Sequence, residues 1–146
     1  MKIAIGSDHG GFRLKKLIIE YFKEMTFDDA GTMTADSCDY PDYARIVAEK
    51  VATGKAERGI VVCGSGIGVA ITANKVKGVR AALCTNEFMA EMSRRHNDAN
   101  VLALGERVLG SDLALAIVKR WIETPFEGGR HQRRIDKISA LEDADI

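Results

Sequence analysis

The sequence has few cysteines and none of the cysteine patterns that staple secreted domains or bind zinc. Its three cysteines, Cys38, Cys63 and Cys84, are odd in number and form no C-x-x-C pair. This spacing disfavours both a disulfide framework and a zinc site. We therefore expect the protein to work in a reducing compartment, the cytoplasm.

The sequence also lacks a surplus of charge of either sign and any long apolar run. Lysine plus arginine number 21, and so do aspartate plus glutamate. A general nucleic-acid binder usually carries a basic surplus, so no nucleic-acid partner is expected. No apolar run approaches the roughly 18 residues needed to span a bilayer, and the N-terminal run is too short for a signal peptide. No membrane association is expected either.

The composition is that of a folded domain. Apolar residues make up 46% and charged residues 29% of the 146 positions, which are globular values. Neither an internal repeat nor a flexible linker divides the chain. We predict a single domain over residues 1–146, whose polar tail from about residue 125 lies on the surface or against a partner subunit.

Short β-type runs alternate with longer segments of helical period. The predicted strands cover residues 2–6, 27–30, 60–63, 79–84 and 101–104. The predicted helices cover 14–25, the 36–41 loop to about 53, about 67–75, about 86–95 and 112–123. This alternation indicates right-handed βαβ units in one parallel sheet. The prediction is an α/β fold, a doubly wound three-layer α/β/α sandwich with five parallel strands.

Polar residues follow several of the predicted strands. Asp8 and His9 follow the first strand, Cys63 ends the third, and Arg107 follows the fifth. In open parallel sheets, ligands bind beyond the carboxyl ends of the strands. We therefore expect these groups to converge on a binding site.

The loop after Cys63 carries the sharpest chemical pattern. In residues 64–68, glycine predominates, so backbone N–H groups can turn toward an oxyanion, and the following helix N-terminus favours a thiolate over a thiol. A buried structural cysteine before a tight turn explains the same residues equally well. A dinucleotide site is disfavoured because Val69 stands where a glycine is needed, and Cys84 is near where an acidic residue belongs.

The histidines and the basic tail offer further candidates. The three histidines lie in polar segments without metal-ligand spacing, so no metal is expected. His96 follows two arginines, which a simple helix C-cap would also explain. Arg130 and Arg134 are four residues apart and would share a helix face suited to a phosphate dianion, with Arg107 able to join them. A solvated charged face is the alternative.

Six segments, spread in order over nearly the whole chain, match the pattern of one family: Ile5–Phe12, Asp39–Pro41, Cys63–Gly68, Ala73–Lys75, Ser93–Val101 and Glu127–His131. Taken together, they closely resemble the ribose-5-phosphate isomerase B family, which also includes galactose- and allose-6-phosphate isomerases. The resemblance implies a Rossmann-like fold, a homodimer or dimer of dimers, and no cofactor. It also implies interconversion of an aldose phosphate and a ketose phosphate through an enediolate.

The resemblance also implies a role for each matching residue. Cys63 would move the proton between C2 and C1, assisted by Ser65, and His96 would open the furanose ring with Asn97 nearby. The substrate would be held by the following groups: Asp8 on its hydroxyls; the backbone of Gly64, Ser65, Gly66, Ile67 and Gly68 on the enediolate oxygens; and His9, Arg107, Arg130 and Arg134 on its phosphate.

The expected position of His96 implies an active site that two subunits share. The helix before His96 runs antiparallel to the strands, so His96 should lie at the sheet edge opposite Cys63. We therefore expect active sites to be shared between two subunits. Ribose 5-phosphate is the expected substrate. Two alternatives stay open: an isomerase of allose 6-phosphate or another six-carbon 6-phosphate, and a sensor that binds sugar phosphates without turnover.

Overall fold

The computed structural model describes all 146 residues. The strands are β1 (Lys2–Ser7), β2 (Thr26–Asp29), β3 (Arg58–Cys63), β4 (Ala81–Leu83) and β5 (Val101–Gly105). The α-helices are α1 (Phe12–Tyr21), α2 (Tyr40–Ala52), α3 (Ile67–Asn74), α4 (Glu87–Arg95), α5 (Ser111–Glu123) and α6 (Arg130–Ala140). Two 3₁₀ turns cover His9–Gly11 and Leu141–Asp143.

All five strands are parallel and lie in the order β2-β1-β3-β5-β4. Side chains alternate between the two faces of the sheet because the strand period is two. One face packs a 16-residue core against α1, α4 and α5, with Trp121 fully buried, and the other packs a 13-residue core against α2 and α3. The predicted three-layer sandwich with five parallel strands is confirmed.

The structure differs from the prediction in three elements. Helix α1 ends at Tyr21 rather than near residue 25, because Phe22 turns out of helical geometry at φ −95° and ψ 64°. Strand β4 has only three residues. The tail was not predicted as an element, yet it forms the 11-residue helix α6, which buries only His131 and Ile135. Two buried residues four apart are too narrow an apolar stripe to reveal a helix in the sequence.

The two edge strands are covered by side chains. At the β4 edge, the Asn74 side-chain amide accepts from the N–H of Ala81 at 2.8 Å and donates to its carbonyl at 3.0 Å. At the β2 edge, Asp28 forms an ion pair with Lys50 at 2.7 Å. At the β4 edge, the backbone groups of Ala81 are therefore not free to pair with another strand.

A buried lysine ties α1 to the ends of β1 and β2. The ammonium group of Lys15, which is fully buried, pairs with the Asp29 carboxylate at 2.7 Å and donates to the Thr32 carbonyl. The segment it holds bonds to Ser7 on both sides, through Ser7 N–H to Gly31 O and Thr32 N–H to Ser7 O, each at 2.7 Å. This network fixes where β1 ends.

All five parallel strands end on one side of the sheet, which we call the carboxyl edge, and begin on the opposite side, the amino edge. These two edges run across the strands and are distinct from the edge strands β2 and β4. Cys63 at the end of β3 lies in register with Gly105 at the end of β5. The turn after α4 lies at the other edge, where the Asn100 carbonyl accepts from the N–H of Gly59 at 2.9 Å. None of the helices has the length and apolar character that crossing a bilayer requires.

Candidate active site

A cavity of about 550 Å³ opens at the carboxyl edge of the sheet. Cys63 lies in its wall and is 4% exposed. The other lining residues come from the loops after β1, β3 and β5 and from α2 and α3: Asp8, Tyr40, Gly64, Ser65, Ile67, Gly68, Ile71, Arg107 and Val108. We call this group, with Cys63 and the intervening Gly66, the cysteine rim.

The Cys63 sulfur accepts a backbone hydrogen bond. The N–H of Gly66 donates to Sγ at 3.1 Å, and the N-terminus of α3 follows directly. Both the amide and the helix N-terminus present partial positive charge to the sulfur. The arrangement suits a sulfur that acts as a base.

Only glycine fits at position 66. Its backbone is left-handed at φ +80°. A Cβ there would lie 2.6 Å from Leu83 Cδ1 and 2.8 Å from the Leu104 carbonyl carbon. Because both the conformation and the space exclude a side chain, the hydrogen bond to Cys63 depends on this glycine.

The rest of the loop offers further donors. The amides of Gly64 and Ser65 form no hydrogen bond within the chain. The Ser65 hydroxyl oxygen accepts from the N–H of Ile67 at 3.2 Å, so it caps the start of α3 and keeps its own proton to donate. Free amides next to a basic sulfur form the type of donor set that stabilises an oxyanion.

Asp8 has one oxygen committed to structure and one available to a ligand. Its Oδ1 accepts from the N–H groups of Gly10 at 2.9 Å and Gly11 at 3.2 Å and so caps the 3₁₀ turn. Its Oδ2 has no partner in the chain, and the residue lines the cavity. The carboxylate can therefore accept from a substrate hydroxyl without giving up its cap.

Two backbone hydrogen bonds hold the loops after β3 and β5 together. Glu106 N–H donates to the Cys63 carbonyl and Arg107 N–H to the Gly64 carbonyl, both at 2.9 Å. The Arg107 guanidinium lies close to Gly64, where an added Cβ would be 3.0 Å from Nη1. A cation is thus held at the mouth of the cysteine rim.

His9 faces the loop that precedes α2. Its Nδ1 accepts from the N–H of Cys38 at 3.2 Å, so the neutral ring carries its proton on Nε2. His9 is not among the residues that line the cavity, although its neighbour Asp8 is. It can serve an incoming group only as a donor through Nε2.

The remaining predicted residues lie elsewhere in the chain. His96 and Asn97 follow α4 at the edge where the strands begin, and Arg130 and Arg134 lie exposed on α6. None of the four lines the Cys63 cavity. The predicted site residues thus form two groups at opposite edges of one chain.

The His96 group is built around two stacked imidazoles. The rings of His96 and His131 are parallel to within 12°, with centroids 4.2 Å apart. Glu127 contacts His131 with Oε2 to Nε2 at 3.3 Å, and its Oε1 accepts from Arg95. We call His96, Asn97, Glu127 and His131 the histidine corner.

Two arginines, the buried Arg94 and the half-buried Arg80, hold the turn that carries His96. Arg94, 5% exposed, donates to the Asp98 carboxylate at 2.8 Å and to the Ala99 carbonyl at 2.7 Å. Arg80 donates to the carbonyls of Asn97 at 3.0 Å and Asp98 at 3.1 Å. The arginines before His96 therefore do more than complement a helix end, because Arg94 anchors the turn itself.

The corner shifts the pKa of two of its groups. Burial, and then the nearby charges of His96 and Arg130, lower the pKa of His131 below 6.5. The hydrogen bond from Arg95 lowers the pKa of Glu127 below 4.5. At neutral pH, Glu127 is therefore an anion and His131 a neutral ring.

The same three side chains do not suit a metal ion. The possible ligand atoms of His96, Glu127 and His131 lie within 4.8 Å of one another. A metal must lie near the plane of each imidazole at about 2 Å from nitrogen, and two nearly parallel rings 4.2 Å apart cannot both meet that condition. Arg95 also occupies one Glu127 oxygen. The cluster is better suited to moving protons.

Sequence reasoning missed several residues of both groups. Tyr40 and Ile71 line the cysteine rim, and a Cβ on Gly68 would lie 2.6 Å from the Tyr40 ring. Glu127 was not singled out, although its spacing of four from His131 was readable and would have suggested a helical pair. The close approach of Tyr40 to Gly68 joins α2 to α3, and no local pattern predicts it.

The chain is similar to known proteins over nearly its whole length. The profile of the ribose/galactose isomerase family matches residues 3–138. The chain is 52% identical to a putative sugar phosphate isomerase of Bacillus subtilis over 100% of both chains. It is 48% identical to ribose-5-phosphate isomerase B of Escherichia coli, covering 97% of this chain and 96% of that one.

Solved structures give the same result. Ribose-5-phosphate isomerase B of Clostridium thermocellum superimposes with a TM-score of 0.97 at 56% identity, covering 98% of both chains. The Mycoplasma genitalium enzyme with bound ribulose-5-phosphate gives 0.95 at 45% identity, covering 99% of this chain and 97% of that one. With the sheet order, the Cys63 loop and a family match over most of its length, the chain belongs to the ribose/galactose isomerase family.

Proposed function

We propose that the protein interconverts ribose 5-phosphate and ribulose 5-phosphate in the cytoplasm, with Cys63 as the base. The observation that carries this proposal is the Cys63 sulfur, bonded by the Gly66 amide and set beside the free amides of Gly64 and Ser65. Relatives that share this fold are named ribose-5-phosphate isomerase B, and one was solved with ribulose-5-phosphate.

The reaction needs a base and an oxyanion site in one place. The Cys63 thiolate takes the proton from C2 of the open-chain aldose, and negative charge moves onto O1 of the resulting enediolate. The free amides of the loop stabilise that charge. The O2 hydroxyl then gives up its proton as O1 gains one, and the thiol returns its proton to C1, which gives the ketose and restores the Cys63 thiolate. Ser65 can donate its hydroxyl proton to an enediolate oxygen, and Asp8 can accept from a substrate hydroxyl.

The histidine corner completes the site from a second copy of the chain. His96 opens the furanose ring, with Asn97 nearby, and Arg130 and Arg134 bind the phosphate with Arg107 and His9. Three exposed apolar residues beside Cys63 support the presence of a covering partner: Ile67, Ile71 and Val108 are 54%, 57% and 58% exposed. A homodimer, or a dimer of such dimers, brings the two edges together.

A coupled assay tests the reaction. Purified protein is assayed on ribose 5-phosphate and, side by side, on allose 6-phosphate. We expect ketose formation from the first, and its loss by about three orders of magnitude or more in Cys63→Ala. Cys84→Ala is the matched control, because burial raises the pKa of the Cys84 thiol to about 11 and keeps it inert. Binding of the sugar phosphate without turnover would instead indicate a sensor.

Subunit exchange tests the shared site. Inactive Cys63→Ala and His96→Ala proteins are mixed under conditions that exchange subunits. A shared site predicts one intact site in each hybrid dimer, and random pairing then restores about a quarter of the wild-type specific activity. If each chain holds a complete site of its own, mixing restores nothing.

A further inference from the structure

Glu127 joins α4 to α6 within the histidine corner. Its backbone N–H donates to the Arg95 carbonyl at 3.1 Å, and its Oε1 accepts from the Arg95 side chain. Arg95 is itself held by Glu91 at 3.0 Å. The carboxylate is therefore fixed by a main-chain and a side-chain contact before it reaches His131.

The second oxygen of Glu127 determines how His131 is held. Oε2 lies 3.3 Å from Nε2 of His131. The negative oxygen at this distance favours a proton rather than a lone pair on Nε2, so we expect the neutral ring to carry its proton there. The side chain of His131 is only 8% exposed, so Glu127 takes the place of water beside it. Glu127 thus favours one tautomer of His131 and restrains its orientation.

The orientation of His131 in turn restrains His96. The rings are stacked at 4.2 Å, which leaves the His96 ring flat against a neighbour that cannot turn without losing Glu127. Two imidazolium cations at this distance would repel each other. A neutral His131 beside an anionic Glu127 lets His96 gain and lose its proton while its ring stays in place.

We propose that Glu127 is a positioning residue for ring opening, which holds His131 against His96 so that His96 meets the sugar in one orientation. This inference rests on the proposed role of His96. In ring opening, a proton leaves the O1 hydroxyl, the bond between C1 and the ring oxygen breaks, and the ring oxygen gains a proton. His96 carries out this exchange, and Glu127 never touches the sugar.

The chemistry of the two substrates provides a selective test. Ribose 5-phosphate closes into a furanose. Ribulose 5-phosphate cannot, because its O5 carries the phosphate and its carbonyl is at C2. Exchange of a C1 proton of ribulose 5-phosphate with heavy water therefore needs Cys63 but no ring opening. Isomerisation that starts from ribose 5-phosphate needs both steps.

The experiment measures both rates in Glu127→Gln, which keeps the shape and removes the charge. We expect kcat from ribose 5-phosphate to fall about tenfold, with C1 exchange from ribulose 5-phosphate as in wild type. His96→Ala should give the same pattern with a larger loss, and Cys63→Ala should lose both rates. Glu123 is an exposed carboxylate that lines the same surface cavity as Glu127. Glu123→Gln is therefore the control, and it should change neither rate.

A second variant separates position from charge. Glu127→Asp keeps the charge but withdraws the oxygens from His131, so it should also slow isomerisation from ribose 5-phosphate. Nitrogen chemical shifts of His131 should report the Nε2–H tautomer in wild type and a mixture in both variants. These shifts do not depend on turnover.

Each result decides the inference. It is overturned if Glu127→Gln isomerises ribose 5-phosphate as fast as Glu123→Gln, or if C1 exchange falls as much as isomerisation. A wild-type protein that neither isomerises nor exchanges would instead overturn the proposed function, and the role of Glu127 with it. Selective loss of isomerisation together with a changed His131 tautomer supports the inference.

Discussion

The cysteine rim and the histidine corner are held in place by different kinds of contact. Backbone hydrogen bonds, glycines and the buried Lys15 network hold the cysteine rim. Side-chain contacts hold the histidine corner: the partly exposed Arg95 and Glu127 pair with each other, and the buried Arg94 anchors the adjoining turn. The two are separated by the length of a strand, since the six residues of β3 span roughly 16 Å. The residue proposed as the base therefore lies among backbone contacts, and the residue proposed to open the ring lies among side-chain contacts.

The difference follows from parallel topology. All strands of a parallel sheet have their carboxyl ends at the same edge, and each connecting helix returns the chain to the opposite edge. Residues after a strand and residues after a helix are therefore separated within one chain, however close they are in sequence. If this comparison is correct, the effect of a substitution in the cysteine rim should depend on the space available to the new side chain. The effect of a substitution in the histidine corner should depend on charge and pH.

The largest effect is expected at Gly66. In Gly66→Ala, the Cβ meets backbone atoms of Leu104 at 2.8 Å and of Gly105 at 3.0 Å, and the left-handed φ of +80° strains any side chain. We expect about 3 kcal/mol of lost stability and loss of nearly all turnover. Urea unfolding and the coupled assay measure both. Gly54→Ala is the control, because its φ is +75° but nothing lies within 4 Å, and it should lose only about 1 kcal/mol and no activity.

The next effect is expected at Arg94. Arg94→Met removes donors to Asp98, Ala99 and Thr124 and leaves the buried carbonyls of Ala99 and Thr124 without this partner. We expect unfolding free energy to fall by about 3 kcal/mol. Exposed Arg133→Met should change it little. If Arg94→Met were as stable as Arg133→Met, the turn that carries His96 would not depend on a buried arginine.

A smaller effect should follow pH. Because the pKa of His131 is lowered in the folded protein, the unfolded chain binds more protons near pH 6.5 and below. The stability this provides is present above about pH 6.5 and is lost as pH falls toward the folded pKa. His131→Gln should flatten the curve of unfolding free energy between about pH 7 and pH 5. An unchanged curve would mean that the corner does not bias this proton.

The smallest effect is expected in the tail. Lys77 pairs with Asp143, and both side chains are about two-thirds exposed. Lys77→Ala should leave the melting temperature unchanged within error at physiological salt, because exposed pairs are screened. Melting curves at low and high salt check this. A clear loss of stability would show that this exposed ion pair holds the end of the tail more strongly than screened surface pairs do.

The sequence was enough to predict the sheet, the cysteine loop and the separation of Cys63 from His96. Periodicity marked the buried strands, and parallel order then fixed which residues share an edge. It was not enough for α6, whose apolar stripe is only His131 and Ile135. Nor did it predict the stacking of His96 on His131, because that contact joins residues 35 positions apart and depends on how α6 folds back.

The protected sheet edges limit how copies of this chain can join. The Asn74 amide occupies both backbone groups of Ala81 at one edge, and the ion pair of Asp28 with Lys50 lies at the other. A second molecule cannot add a strand at Ala81 without displacing that amide. Association at the β4 edge is therefore directed to side chains, which distinguish one partner from another. The same amide guards against growth of a continuous sheet from this edge.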